Sequence, residues 1–86
     1  MKKINTFVAL DIEATGISPN KNRIIEIGAI KVVDGIEVDR FSTLVNPCVP
    51  ISEEITLLTG ISEEMVSNAP TEKEVLSEFL EFVART

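Results

Sequence analysis

The chain has 86 residues, 44% of them hydrophobic, and a formal net charge of −6. Those values fit one small packed domain and exclude both a disordered segment and binding of nucleic acid by a basic groove alone. One cysteine and no histidine exclude an internal disulfide, a Cys/His zinc site and a histidine-assisted nucleophile. No apolar run is long enough to span a membrane, and the start MKKINTFVAL lacks a small-residue cleavage site. A cytoplasmic protein without membrane contact is the expectation.

In chain order, residues 6–13 predict a strand. Phe7, Ala9, Asp11 and Glu13 fall on one face; Val8, Leu10 and Ile12 fall on the other. Apolar side chains on both faces predict a central strand covered on both sides. Thr15, Gly16, Ser18, Pro19 and Asn20 form a loop. Residues 23–33, RIIEIGAIKVV, predict a second strand, inside which Glu26 is expected to pair with Arg23 or a backbone amide. Asp34-Gly35 predicts a hairpin turn, because both positions tolerate positive φ. Residues 37–46 return as a more polar edge strand, with Glu37 and Asp39 solvated. The first half is thus expected to be a three-stranded antiparallel meander.

The second half reads as helices. Cys48, between Pro47 and Pro50, reads as a small filler in a loop. Ser52 is placed to cap a short helix that ends at Gly60, and Ser62 to cap another turn. The acids of the two ISEE segments suit helix N-termini. After Pro70, Thr71 and Glu74 predict a capping box. Val75, Leu76, Phe79, Leu80 and Val83 predict the buried face of a helix that runs to the C-terminus.

The chemistry concentrates at Asp11 and Glu13. Two carboxylates one strand repeat apart, at the end of an apolar strand, repel each other unless a cation sits between them. The nearest cations in sequence, Lys2, Lys3 and Lys21, lie outside the run. Oxygen ligands without Cys or His suit Mg²⁺ or Mn²⁺. A pair of such ions, about 3.5–4 Å apart, holds both the attacking and the leaving oxygen of a phosphodiester. A D-x-E at a strand end is otherwise only a strand turning into solvent, and Gly16 only a turn residue.

FVALDIEATGISPNKNRIIEIGAIKV resembles the first motif region of the DEDD-type 3′–5′ exonucleases of the proofreading, epsilon-subunit-like group. The likeness continues through FSTLVNP, ISEEITLLTGIS and NAPTEKEVLSEFLEFV. It implies a ribonuclease-H-like α/β fold and two-metal hydrolysis of phosphodiesters from a 3′ end. It implies that Asp11 and Glu13 are the first two metal-binding, catalytic carboxylates, on Mg²⁺ or Mn²⁺. It also implies substrate contacts from Ala14, Thr15, Gly16 and Ile17, and from Thr59, Gly60 and Ile61. Ala14 stands where the family usually has Thr, which removes one hydroxyl. The implied partner is a single-stranded 3′ end of DNA, or of RNA, together with polymerase or helicase parts of a parent protein.

The family needs two further aspartates and a His or Tyr. The chain has neither His nor Tyr. Residues 1–86 are therefore expected to be the N-terminal part of a single exonuclease domain, incomplete and inactive alone. The edge of its first strand would be left open to self-association. Two other readings compete. One is a non-catalytic binding or assembly module. The other is a haloacid-dehalogenase-like phosphatase, in which Asp11 would be a nucleophile on parallel β–α–β units.

Overall fold

The computed structural model describes residues 5–16 and 22–85. The chain folds as β1 (Phe7–Ala14), β2 (Ile24–Val33), β3 (Ile36–Leu44), α1 (Glu53–Thr59), α2 (Glu63–Val66) and α3 (Glu72–Ala84). The strands form one antiparallel sheet in the order β1-β2-β3. The expected meander is present. Among the described residues there is no parallel β–α–β unit, which the phosphatase reading requires.

The β2–β3 turn is made by Asp34 and Gly35, with φ of 52° and 79°. Both central residues lie in the left-handed region, the geometry that matches the twist of a two-residue hairpin. The same turn anchors the start of β1. Gly35 N–H donates to the Asn5 carbonyl at 2.8 Å, and Asp34 N–H donates to Thr6 Oγ1 at 3.2 Å.

Alternation along β2 decides which face is covered. Ile25, Ile27, Ala29 and Lys31 are all buried, and they share one face. Ile25 packs with Ile51, Ile61 and Val66, against Leu44, Ile55 and Ala69. Ile27 packs with Val45 and Val75, against Ile24, Phe41 and Phe79. Phe41, Phe79 and Phe82 join into one aromatic group, with centroid separations of 5.6–6.5 Å.

β1 has the open edge expected of a partial domain, but it is not covered on both faces as its apolar side chains predict. It is an edge strand, and Phe7, Leu10 and Ile12 stay 44%, 51% and 43% exposed. Leu10 and Ile12 stand opposite Ala29 and Ile27, so they share the helix-covered face of β2. The helices cover that face over β2 and β3 and leave its β1 margin bare.

The helix caps follow the sequence. Ser52 Oγ accepts from Ile55 N–H at 3.2 Å, and Ser62 Oγ accepts from Met65 N–H at 3.3 Å. Gly60 ends α1 in the left-handed conformation. Glu63 does more than favour a helix start: its Oε1 accepts from Ile51 N–H at 2.7 Å and ties α2 to the preceding loop. At α3, Glu74 Oε1 accepts from both the N–H and the hydroxyl of Thr71, each at 3.0 Å. Cys48 is not a filler; it is exposed at φ 58°, with its N–H held by Asn46 Oδ1 at 2.9 Å.

The buried face of α3 also differs from expectation. Val75 and Phe82 are buried and Phe79 partly so, while Leu76, Leu80 and Val83 are 54%, 58% and 39% exposed. Two apolar stripes run side by side on this helix. The one facing Phe41 is buried.

Lys31 closes the C-terminal end of α3. It is buried, its Nζ donates to the Phe82 carbonyl at 2.6 Å, and it lies 4.9 Å from the centre of the Phe82 ring. The last turn of α3 carries no basic residue of its own. A lysine from the sheet therefore supplies the positive charge that a helix C-terminus favours.

Two measurements check these contacts. Lys31→Met keeps the stem and removes the charged hydrogen bond, so it should cost about 1–3 kcal/mol in chemical unfolding; an unchanged midpoint would show that stem packing alone suffices. The hydrogen bonds from Thr71, backbone first, hold the Glu74 carboxyl below its ordinary range. A lowered folded-state value gives stability that is present above the unfolded value and lost as pH falls through the folded one. Glu74→Gln should therefore lower the melting temperature at neutral pH, with the deficit shrinking in acid. A deficit that persists unchanged in acid would contradict this.

Candidate metal and nucleotide site

The register of β1 on β2 builds the site. Asp11 lies opposite Gly28 and Glu13 opposite Glu26, but Ala14 lies opposite Ile24. Ile25 is thus an extra residue on β2, a bulge immediately beside Glu13. Bulges of this kind bend a strand and re-aim the side chains next to them. Ile25 turns fully into the core, and its carbonyl accepts from Val45 N–H at 2.8 Å. The bulge is buttressed from behind by Ile61, 3% exposed in the same cluster.

Asp11 and Glu13 stand on the face of the sheet opposite the buried row of β2. Asp11 is exposed and Glu13 half-buried. Among the described residues the ion pairs are Arg40–Glu37 at 2.8 Å and Arg85–Asp39 at 3.9 Å, both on exposed side chains. The solvated acids of β3 thus find partners, while Asp11 and Glu13 have none among the described residues. Glu26 does not pair with Arg23 as expected. It lies directly across from Glu13, an arrangement of like charges that destabilises a strand pair.

The donor set tests whether a divalent ion fits. Asp11 and Glu13 offer carboxylate oxygens with no ion-pair partner among the described residues, Arg40 of the same cavity being paired with Glu37, which suits a hard metal. Among the described residues no group of three His, Cys, Asp or Glu encloses a metal position. The pair fits two places of a coordination shell and leaves the rest open. A shallow cavity of about 310 Å³ on the sheet reaches Asp11, with Ala9, Gly28 and Ser42 among its lining.

The loop beyond the carboxylates is closed by Thr15. Its N–H donates to the Arg23 carbonyl at 2.8 Å. Its hydroxyl oxygen accepts from Arg23 N–H at 2.9 Å and from Asn22 Nδ2 at 3.3 Å. Gly16 lies against Asn22; a Cβ there would come within 2.6–2.7 Å of the Asn22 side chain. Ala14, Thr15 and Gly16 thus follow Glu13 without a break, whereas Ile17 lies outside the described residues.

Thr59, Gly60 and Ile61 occupy the end of α1. The Thr59 hydroxyl donates to the Ile55 carbonyl at 2.8 Å and accepts from Ile61 N–H at 3.1 Å. Gly60 N–H donates to the Thr56 carbonyl at 2.8 Å. The segment meets the carboxylate end of the sheet through the Ile61–Ile25 core cluster. Sequence reasoning missed the bulge at Ile25 and the role of Asn22. Neither leaves a periodic signal, since each depends on the cross-strand register.

Comparison with known proteins points to one family. The DNA polymerase III PolC-type of Caldanaerobacter subterraneus subsp. tengcongensis is 57% identical over 76 residues, which is 88% of this chain and 5% of that protein. The DNA polymerase III subunit epsilon of Aquifex aeolicus is 50% identical over 78 residues, covering 91% of this chain and 39% of that one. The nuclease domain of 3′hExo, a DEDDh family member crystallised with rAMP, superposes with a TM-score of 0.76 at 27% identity, covering 91% of this chain and 43% of that one. The chain thus spans less than half the length of each of these proteins. The sequence profile described as Exonuclease matches residues 8–86. With the carboxylate pair, its bulged neighbour strand and the closed Thr15 loop all inside that match, the chain belongs to this exonuclease family.

Proposed function

We propose that this chain supplies the first metal-binding carboxylates and part of the nucleotide pocket of a metal-dependent 3′–5′ exonuclease of the proofreading type, acting on DNA. The observation that carries the reading is the pairing of Asp11 and Glu13 on one strand face, with no basic partner among the described residues. Family membership and the polymerase III names of the relatives support it.

In this reading Asp11 and Glu13 hold Mg²⁺ or Mn²⁺, which when bound supplies charge neutralisation and an activated water for attack on phosphorus. The regular β1–β2 register sets the two carboxylates one strand repeat apart, and the bulge at Ile25 falls immediately after Glu13. Thr15 and Gly16, held by Asn22 and Arg23, border the space where a terminal nucleotide would lie. A base of the His or Tyr kind must come from outside these 86 residues, which contain neither. The polymerase relatives support a working position beside a polymerase, where a mispaired 3′ end is presented single-stranded.

The direct experiment is a thermal melt with and without Mn²⁺. A specific site stabilises the folded chain by about 2.7 kcal/mol at a hundredfold excess over Kd. Asp11→Asn should abolish that gain, whereas Glu53→Gln on α1 should leave it intact. A gain that survives Asp11→Asn would contradict the assignment. A labelled single-stranded DNA should lose no 3′ nucleotides to the 86-residue chain beyond the Asp11→Asn background, and robust Mn²⁺-dependent trimming would overturn the view that further residues are required.

A further inference from the structure

We propose that Asn22 is a positioning residue that makes the Thr15 hydroxyl a dedicated donor to an acceptor atom of the bound nucleotide. The inference rests on the reading of Thr15 as a nucleotide contact. A hydroxyl has one O–H donor and two acceptor lone pairs. At Thr15 both acceptor positions are taken, one by Arg23 N–H at 2.9 Å and one by Asn22 Nδ2 at 3.3 Å. The O–H alone remains for a ligand. Its target must then be an acceptor atom, which on a nucleoside monophosphate is a phosphate, sugar or base-carbonyl oxygen or a ring nitrogen, and is never a base N–H.

The Arg23 contact is backbone and survives any side-chain change at that position. The Asn22 contact is a side-chain amide and is the adjustable half of the arrangement. Gly16 leaves the space this side chain occupies, since a Cβ there would lie 2.6–2.7 Å from Asn22 side-chain atoms. Asn22 is half-buried between the two residues expected to touch the nucleotide. Removing its amide frees one lone pair of Thr15 and releases the hydroxyl to rotate. The nucleotide then loses a preorganised donor, although every group that touches it is still present.

The test is a double-mutant cycle read by NMR titration of the ¹⁵N-labelled 86-residue chain with thymidine 5′-monophosphate in excess Mg²⁺. Asn22→Ala should weaken binding about fivefold, and Thr15→Val by at least as much. In the Thr15→Val background, Asn22→Ala should change affinity by less than about twofold, because its effect passes through the hydroxyl. Asn22→Asp keeps the shape and removes the donor, so it should fall with Asn22→Ala. The proposal is overturned if Asn22→Ala or Asn22→Asp binds as tightly as the parent, or if Asn22→Ala acts equally with and without the Thr15 hydroxyl. Thr15→Val binding at parental strength, or a parent chain whose Thr15 and Gly16 amides do not respond to nucleotide, sinks the nucleotide reading of the loop and this inference with it.

Discussion

Negative charge at the end of β1, without an ion-pair partner among the described residues, is the constraint on which the rest of the structure turns. Asp11 and Glu13 face the same way, Glu26 stands across from Glu13, and no described cation is within ion-pair reach of any of them. Cross-strand like charges work against the pairing of β1 with β2. The strand is held in spite of them by its backbone ladder, by the tie of Asn5 and Thr6 to the hairpin turn, and by the two-way Thr15–Arg23 contact at its far end. Such local conflict at a site whose surroundings are otherwise consistent is where function is expected. A divalent ion held there, as proposed above, would relieve it.

The scaffold behind the charge is built around β2. One face of that strand carries the aliphatic row that meets the helices, and its other face carries Glu26 and Gly28 opposite the carboxylates. The bulge at Ile25 links the two sides. It sends an extra side chain into the core with Ile61, while it resets the register just after Glu13. Ile61, at the end of the Thr59–Ile61 segment, thus packs on the core side of the strand position that follows the Glu13 pairing. Lys31 plays the matching part at the opposite end of the strand, where it fixes α3 through the Phe82 carbonyl.

The features legible in the sequence were those set by neighbours along the chain. The Asp34-Gly35 turn, the Ser52 and Ser62 caps, the Thr71–Glu74 box and the shared face of Asp11 and Glu13 all follow from local geometry. What was not legible depended on the third dimension. The pattern of α3 holds two overlapping apolar stripes, and only the position of Phe41 selects Val75, Phe79 and Phe82 over Leu76, Leu80 and Val83. Apolar residues on both faces of β1 suggested a covered strand, yet coverage is decided by what packs there, and Leu10 and Ile12 remain exposed. Arg23 is the nearest base to Glu26 in sequence, yet no ion pair joins them, and the contacts Arg23 makes to Thr15 are through its backbone.

Asp11 and Glu13, free of basic partners among the described residues, are the proposed ligands of a divalent cation. An anomalous difference map from crystals of this chain soaked in manganese chloride tests that assignment most directly. The account predicts a peak within coordinating distance of both carboxylates, at the bulged end of β1. A map with no peak there, and with Asp11 and Glu13 turned onto lysine or arginine side chains, would contradict it.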